Sequence, residues 1–256
     1  MTDSPNGNVA VNISADGIAT IGFYHPAQNS LPAHLLQALT EEINEAGTNP
    51  AVKVIVLQSA GERTFCAGAS FDELLQIKDK QAGAVFFSGF ANVINACRKS
   101  PKIIIARIQG KAVGGGVGLA AGADYCLATE AASIKLSELA IGIGPFVISP
   151  AVIRKIGLPA FSQLTIRAID FQSAQWAMQK GLFNEVYGDI KQLDEALGIL
   201  TRKLASYHPE ALKGLKQILW EGTEDWDQLL TNRAAISGEL VLSEFTQQAL
   251  NAFLKK

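Results

Sequence analysis

The sequence predicts an α/β protein with a helical layer at its C-terminal end. Three observations carry this expectation. Strand-like segments alternate with helix-spaced ones from residue 9 to residue 187, as they do where helices cover a sheet. The run 52–59 (VKVIVLQS) is apolar enough to be buried on both faces, the habit of parallel strands. From about Leu193 onward every apolar spacing is helical. These spacings suggest a core over residues 1–192 and a C-terminal helical region over residues 193–256.

The elements follow in order. Segments 9–14 and Ile18–Tyr24 flank Ala15-Asp16-Gly17, and the Asp-Gly step is a hairpin signal. Segment 31–46 places Leu31, Leu35, Leu36, Leu39 and Ile43 on one helical face. Strand 52–59 is followed by the turn Gly61-Glu62-Arg63-Thr64, and residues 65–70 lead into a helical pattern from Phe71. A long helix is expected over 82–99, stopped by Ser100-Pro101. Strand Ile103–Ile108 precedes a glycine run. Short strands are expected at 124–128 and 133–136, then helices at 150–156 and 159–169 separated by Gly157-Leu158-Pro159. A short helix over 173–181 ends on glycine, and 184–187 is a last strand.

Composition bounds the function. The chain has 256 residues, 48% hydrophobic and 18% charged, which supports a sizeable core and argues against disorder. Lys+Arg is 22 and Asp+Glu is 24, a net charge of −2, so charge gives nucleic-acid binding no support. Cys66, Cys97 and Cys126 are odd in number and form no CxxC pair, which indicates neither a disulfide framework nor a zinc site. They read as reduced thiols of a cytosolic protein. The start, Met1-Thr2-Asp3-Ser4-Pro5-Asn6-Gly7-Asn8, is polar and lacks the apolar stretch of a signal peptide. No apolar run reaches the roughly 18–20 residues that span a bilayer. A cytoplasmic protein with neither membrane nor nucleic-acid partner is expected.

The chemistry concentrates in two junctions. Gly114-Gly115-Gly116-Val117-Gly118 follows strand Ile103–Ile108 and opens onto Leu119-Ala120-Ala121. Glycines let a ligand approach bare backbone, and the following helix start favours negative charge. The run can hold a phosphate or a developing oxyanion. Gly116 to Ala121 fits GxGxxA, a dinucleotide fingerprint, but Gly110-Lys111-Ala112-Val113 intervene after the strand and the motif lies mid-chain. There is no GxxxxGK[ST] loop, HExxH or GxSxG, and His25, His34 and His208 are scattered. Metal and nucleophile readings therefore have no nominated residues. A second small-residue junction, Phe65-Cys66-Ala67-Gly68-Ala69-Ser70-Phe71, gives the oxyanion reading its other half. Two such junctions can each aim one N–H at the same oxygen. Either alone reads better as a tight turn where backbone packs closely. Downstream, Glu138 is the only acidic residue between Glu130 and Asp170 and lies in an apolar stretch. Burial there would raise its pKa and suit it to proton transfer, while a helix-start carboxylate after Ser137 is the plain alternative.

Taken together, these segments resemble the crotonase (enoyl-CoA hydratase/isomerase) superfamily along nearly the whole chain. Pro26-Ala27-Gln28-Asn29-Ser30-Leu31 is similar to the family's Pro-x-x-Asn-Ala-Leu segment near the CoA entrance. Residues 65–69 resemble its first oxyanion loop, and 110–124 its glycine-rich second loop and helix. Ser137-Glu138 through Gly142 resembles the region of its second glutamate, and 173–181 its Ala-x-x-x-Gly-Leu segment. The resemblance implies a spiral of ββα units with a C-terminal helical trimerisation region. It implies a 2-enoyl-CoA-type thioester as substrate and partner, in fatty acid or branched-chain amino acid degradation. CoA is then part of the substrate and no separate cofactor is implied. It further implies that the Ala69 and Gly115 amides bind the thioester oxygen and that Glu138 transfers a proton. Ala27, Gln28, Ala67, Gly68, Ser70, Phe71 and Gly114 would contact the CoA thioester, with Pro145 and Phe146 lining the acyl pocket.

One departure matters. Family hydratases usually carry a first glutamate two residues after the triple glycine, and here that residue is Gly118. Family isomerases typically manage with a glutamate at the position of Glu138. A second likeness pulls towards hydration. Leu136-Ser137-Glu138 followed by 142–150 (GIGPFVISP) resembles the methylglutaconyl-CoA hydratase-like branch, in which some members also have glycine there. The expectation is therefore a hydratase, with 3-methylglutaconyl-CoA as a candidate substrate. A delta3-delta2-enoyl-CoA isomerase and a non-catalytic acyl-CoA-binding paralogue are the alternatives. A homotrimer or dimer of trimers is implied. The apolar Leu240, Val241, Leu242, Phe245, Leu250, Phe253 and Leu254 fit either a buried helix or an interface.

Overall fold

A computed structural model describes residues 4–254, with side chains through residue 252. The reading of Met1-Thr2-Asp3 as part of a polar start, and of the Phe253 and Leu254 side chains as an apolar face, lies outside the described residues. Strand β1 (Asn8–Ile13) turns through Gly17, whose φ of +82° suits glycine, into β2 (Ile18–Tyr24). The two pair antiparallel, as the Asp-Gly step predicts. Next comes β3 (Val54–Ser59), then β5 (Ile103–Ile108), β7 (Tyr125–Thr129) and β10 (Glu185–Tyr187). These join in one sheet of order β1-β2-β3-β5-β7-β10, parallel from β2 onward. Every residue of β5 is buried, and so is all of β3 except Gln58, which is why their sequences run apolar without alternation.

A second, smaller sheet carries the site. It orders β4 (Thr64–Cys66), β6 (Lys111–Val113), β8 (Ser133–Lys135) and β9 (Gln172–Ser173). Strand β6 is an addition to the expected elements. It is three residues long, starts on an exposed lysine and runs straight into glycine, so no alternation marks it.

Helices α1 (Ala33–Thr48) and α3 (Lys80–Lys99) fall close to expectation. Pro32 delays the start of α1, and Asp79 extends α3 by accepting the Ala82 N–H at 2.7 Å. The pair expected at 150–156 and 159–169 is one kinked helix, α5 (Ser149–Ile166), broken where Gly157 takes φ +73° before Pro159. Short helices α2 (Phe71–Gln76), α4 (Gly115–Gly122) and α6 (Ala174–Gln179) follow strands of the small sheet. The helical C-terminal region comprises α7 (Ile190–Ala205), α8 (Pro209–Leu219), α9 (Trp226–Leu240) and α10 (Glu244–Leu254), and residue 193 lies inside α7.

Two features lock this region onto the core. Helices α3 and α9 cross at Gly83 and Gly238, where a Cβ on either glycine would meet the other helix's backbone well inside contact. Lys216 of α8 is buried against Asp124 at 2.7 Å, and also donates to the Cys97 carbonyl at 2.8 Å. Asp124 in turn accepts from the Ile104 N–H at 2.7 Å and from the Trp220 indole at 2.6 Å. Burial pulls the Lys216 pKa down and the Asp124 charge opposes it. With its hydrogen bonds satisfied, the pair holds α8 to the start of β5.

Candidate active site

Parallel pairing brings the two small-residue junctions together. Strands β4 and β6 are neighbours, with Thr64 opposite Lys111 and Cys66 opposite Ala112. Both chains leave the sheet at the same end. Gly68, with φ +92°, turns so tightly that a Cβ on it would stand 2.9 Å from the Val113 carbonyl and 3.5 Å from the Gly115 nitrogen. Gly114, with φ +54°, anchors the second loop through its N–H to the Lys135 carbonyl at 2.8 Å.

The amides of Ala69 and Gly115 are left over by this folding. Ala69 bridges to Leu31, but the hydrogen bonds of that bridge use the Leu31 N–H to Gly68 (2.8 Å) and the Ser70 N–H to Leu31 (3.4 Å). Gly115 is the first residue of α4, where an N–H has no intrahelical partner. Both residues line one narrow cavity of about 50 Å³.

Glu138 lines the same cavity. It follows β8, and its carbonyl accepts the Ile143 N–H at 3.0 Å and the Gly144 N–H at 3.3 Å. That turn holds the side chain over Gly114, where an added Cβ would come within 2.9 Å of Oε1. The residue keeps some exposure, yet Oε2 is out of solvent and has no hydrogen-bond partner among the described residues. Burial pushes its pKa up to about 7, because the charged form loses water without gaining a counterion. It stands at the start of the short 3₁₀ turn Leu139–Ile141, as the plain alternative of a helix-start carboxylate has it, but its side chain makes no capping bond there.

Apart from Ser137 and Ser237, the side chains of the rest of the cavity are apolar. Phe87, Phe90, Ile143, Phe146 and Ile148 line it, with Pro145 beside them. Glycine is required at 115 because a Cβ there would enter the Phe90 ring. Gly118 faces Ile148, whose side chain already fills the space that a side chain at 118 would need. Where a two-carboxylate site would put its first glutamate, this chain has a hydrocarbon wall.

A larger cavity of about 800 Å³ adjoins, sharing Ala67, Ala69, Phe71, Ser137 and Ile141 with the first. Ala27, Gln28 and Ser70 line it. Asn29 fixes this rim. Its side chain donates to the Ala60 and Thr64 carbonyls, each at 2.8 Å, and accepts the His25 N–H at 3.1 Å. All twelve residues nominated from the sequence thus line one or other cavity.

Sequence reasoning missed the basic rim. Arg63, Lys111 and Lys135 line the large cavity, and the two lysines stand over the Phe171 ring at 5.3 and 4.4 Å. Burial and the Lys111 charge lower the Lys135 pKa. The signal was strand β6, which brings Lys111 beside β8. Ser237, Ala249 and Ala252, from the C-terminal helices, were missed as well. Among the described residues no cluster of three His, Cys, Asp or Glu could hold a metal, and no helix is long and apolar enough to cross a membrane. The three cysteines are buried, and burial pushes the Cys66 thiol up to about 12.

A family model described as enoyl-CoA hydratase/isomerase matches residues 14–256. The chain is 30% identical over 232 residues to a 2,3-dehydroadipyl-CoA hydratase of Escherichia coli, covering 90% of this chain and 89% of that one. It is 28% identical over 242 residues to a short-chain-enoyl-CoA hydratase of Clostridium acetobutylicum, covering 93% and 92%. Among solved structures, an enoyl-CoA hydratase from Bacillus halodurans superposes with a TM-score of 0.88 at 22% identity, over 95% of this chain and 99% of that one. An enoyl-CoA hydratase from Mycobacterium avium gives 0.83 at 26% identity, over 96% of each.

Proposed function

The chain belongs to the enoyl-CoA hydratase/isomerase family and has its crotonase fold, and from that premise we propose that it adds water reversibly to a 2-enoyl-CoA thioester using one carboxylate. The observation that carries this is Glu138, whose Oε2 is out of solvent and without a hydrogen-bond partner among the described residues, at the wall of the cavity that also presents the Ala69 and Gly115 amides. The family acts on acyl-CoA thioesters, so a thioester oxygen is the group for those amides to receive.

The chemistry balances with these residues alone. The two N–H groups hold the thioester oxygen. A water attacks the β-carbon and gives a proton to ionised Glu138, while the double-bond electrons move to the oxygen as an enolate. Glu138 then returns that proton to the α-carbon. Hydroxyl and proton arrive on one face, because one carboxylate serves both. A donor in such a hole is worth about 3–4 kcal/mol of transition-state stabilisation. The basic rim of Arg63, Lys111 and Lys135 suits the phosphates of CoA. The likeness of 136–150 to the methylglutaconyl-CoA hydratase-like branch supports 3-methylglutaconyl-CoA as the substrate.

The hydrocarbon wall at Gly118 and Ile148 favours a second reading, a delta3-delta2-enoyl-CoA isomerase. There Glu138 would move one proton between carbons and water would play no part. Mass spectrometry in heavy water separates the two, with crotonyl-CoA, a 3-enoyl-CoA and 3-methylglutaconyl-CoA as substrates. A product heavier by one heavy water is the expected result. A shifted double bond with no added water would overturn hydration in favour of isomerisation, and no turnover of any of the three would overturn both.

We also infer a cytoplasmic homotrimer or dimer of trimers. Exposed Ile166, Ile169, Ile218 and Phe245, each more than 60% accessible in the single chain, support an interface. Light scattering on the purified protein reads the subunit number directly.

A further inference from the structure

We propose that Ser237 is a specificity-determining residue whose hydroxyl binds a neutral oxygen, hydroxyl or carbonyl, carried on the acyl chain beyond the two reacting carbons. This rests on the enoyl-thioester reading of the cavity, and it sets a chain with a neutral oxygen against the carboxylate-ended 3-methylglutaconyl chain.

The hydroxyl is buried in the cavity and has no partner. Ser237 lies on α9, is 1% exposed, lines the acyl cavity and makes no side-chain hydrogen bond among the described residues. The other buried serines, Ser30, Ser59, Ser70, Ser100 and Ser149, each make one, and so does every buried threonine. Thr165 Oγ1 on α5 is unpartnered too, but Thr165 lines neither cavity. Ser137, the second hydroxyl of the acyl cavity, is partly exposed and borders the rim cavity as well. A dry, unpaired hydroxyl costs stability. Packing does not call for it. Gly238, the next residue, meets Gly83 backbone to backbone, and alanine at 237 would be as small as serine.

The neighbours of Ser237 place it along the acyl chain. The Gly115 amide is backed by the Phe90 ring of α3, and Gly238 packs on Gly83 of the same helix. Gly83 to Phe90 is two turns of α3, about 10 Å, and Phe87 lines the cavity between them. Ser237 thus enters the cavity away from the Gly115 amide. A short chain held there by its thioester oxygen, and filling the cavity, brings its far carbons to the hydroxyl. The oxygen that Ser237 meets then sits past the double bond, on the fourth carbon.

Charge decides which oxygen is received. Glu138 is the only ionisable side chain of this cavity, and no lysine, arginine or histidine lines it. A carboxylate buried there would find no counterion and would face a like charge in ionised Glu138. A serine O–H donates to a hydroxyl or carbonyl oxygen without that cost.

The test reads binding separately from turnover. Titration calorimetry on the whole protein compares three unreactive saturated thioesters: 4-oxopentanoyl-CoA, its hydrocarbon match 4-methylpentanoyl-CoA, and glutaryl-CoA. Wild type is expected to bind glutaryl-CoA most weakly. Ser237→Ala should lower the affinity ratio of the 4-oxo over the 4-methyl ligand by about fivefold, the worth of one neutral hydrogen bond. Alanine suits a helix interior, so the variant keeps α9. In turnover, the ratio of kcat/KM for 4-hydroxypent-2-enoyl-CoA over 4-methylpent-2-enoyl-CoA should fall by a similar factor. A serine kept only for helix packing would leave both ratios unmoved, which would overturn the proposal while hydration stands. Tightest binding of glutaryl-CoA by wild type would overturn it too, in favour of the carboxylate-ended chain. A binding ratio that falls in Ser237→Ala, without hydration by wild type, would uphold Ser237 and overturn the hydratase reading instead.

Discussion

Glu138 concentrates the account into one side chain. Replacing it with glutamine keeps the shape and removes the transferable proton. Glu138→Gln should lower kcat by about 10²- to 10⁴-fold, the usual worth of a positioned acid or base, with acyl-CoA binding retained by calorimetry. In wild type, kcat/KM for hydration should fall as pH drops through about 7, since the free enzyme must hold Glu138 ionised. Stability runs the other way. A carboxyl raised to about 7 in the fold, against 4.5 as its ordinary value, contributes stability fully present below 4.5 and lost as pH rises through 7. Glu138→Gln stays neutral and escapes that loss. Between pH 4.5 and 8 its stability relative to wild type should rise by about 3 kcal/mol, read by chemical denaturation at each pH. Gly118 gives a second residue-level prediction. Gly118→Glu alone drives its side chain into Ile148 and should destabilise by about 1–3 kcal/mol without faster hydration. Pairing it with Ile148→Gly opens the space, so the double variant should hydrate crotonyl-CoA faster than Gly118→Glu alone in a spectrophotometric assay.

At the level of elements, α8 depends on one buried ion pair. Lys216→Met leaves Asp124 charged, buried and short of a partner. A loss of about 3–5 kcal/mol is expected in denaturant unfolding. The site's elements were legible in unequal measure. Strand β3 and helix α3 announce themselves through long apolar patterns, and both junction loops through their glycines. Glu138 was legible as a lone acid in an apolar stretch. Strand β6 was not, because three residues beside glycine carry no period, and with it went the lysines of the rim. Ile148 beside Gly118 was equally hidden. Thirty residues of chain separate them, and only packing of α5 on α4 makes them neighbours.

For the whole molecule, the fold's work is to bring one end of a small sheet, one desolvated acid and the C-terminal helices to a common cavity. The junctions come from residues 65–71 and 114–118, the acid from 138, and part of the wall from Ser237 on α9. On the proposed reading, a single carboxylate and two backbone amides suffice for chemistry through an enolate. The most direct measurement is deuterium at the α-carbon of product formed in heavy water, compared between wild type and Glu138→Gln on the best enoyl-CoA substrate. One deuterium, on the same face as the added hydroxyl, is expected in wild type, and almost no product from the variant. Undiminished α-deuteration by Glu138→Gln would contradict it, since another group would then be moving the proton.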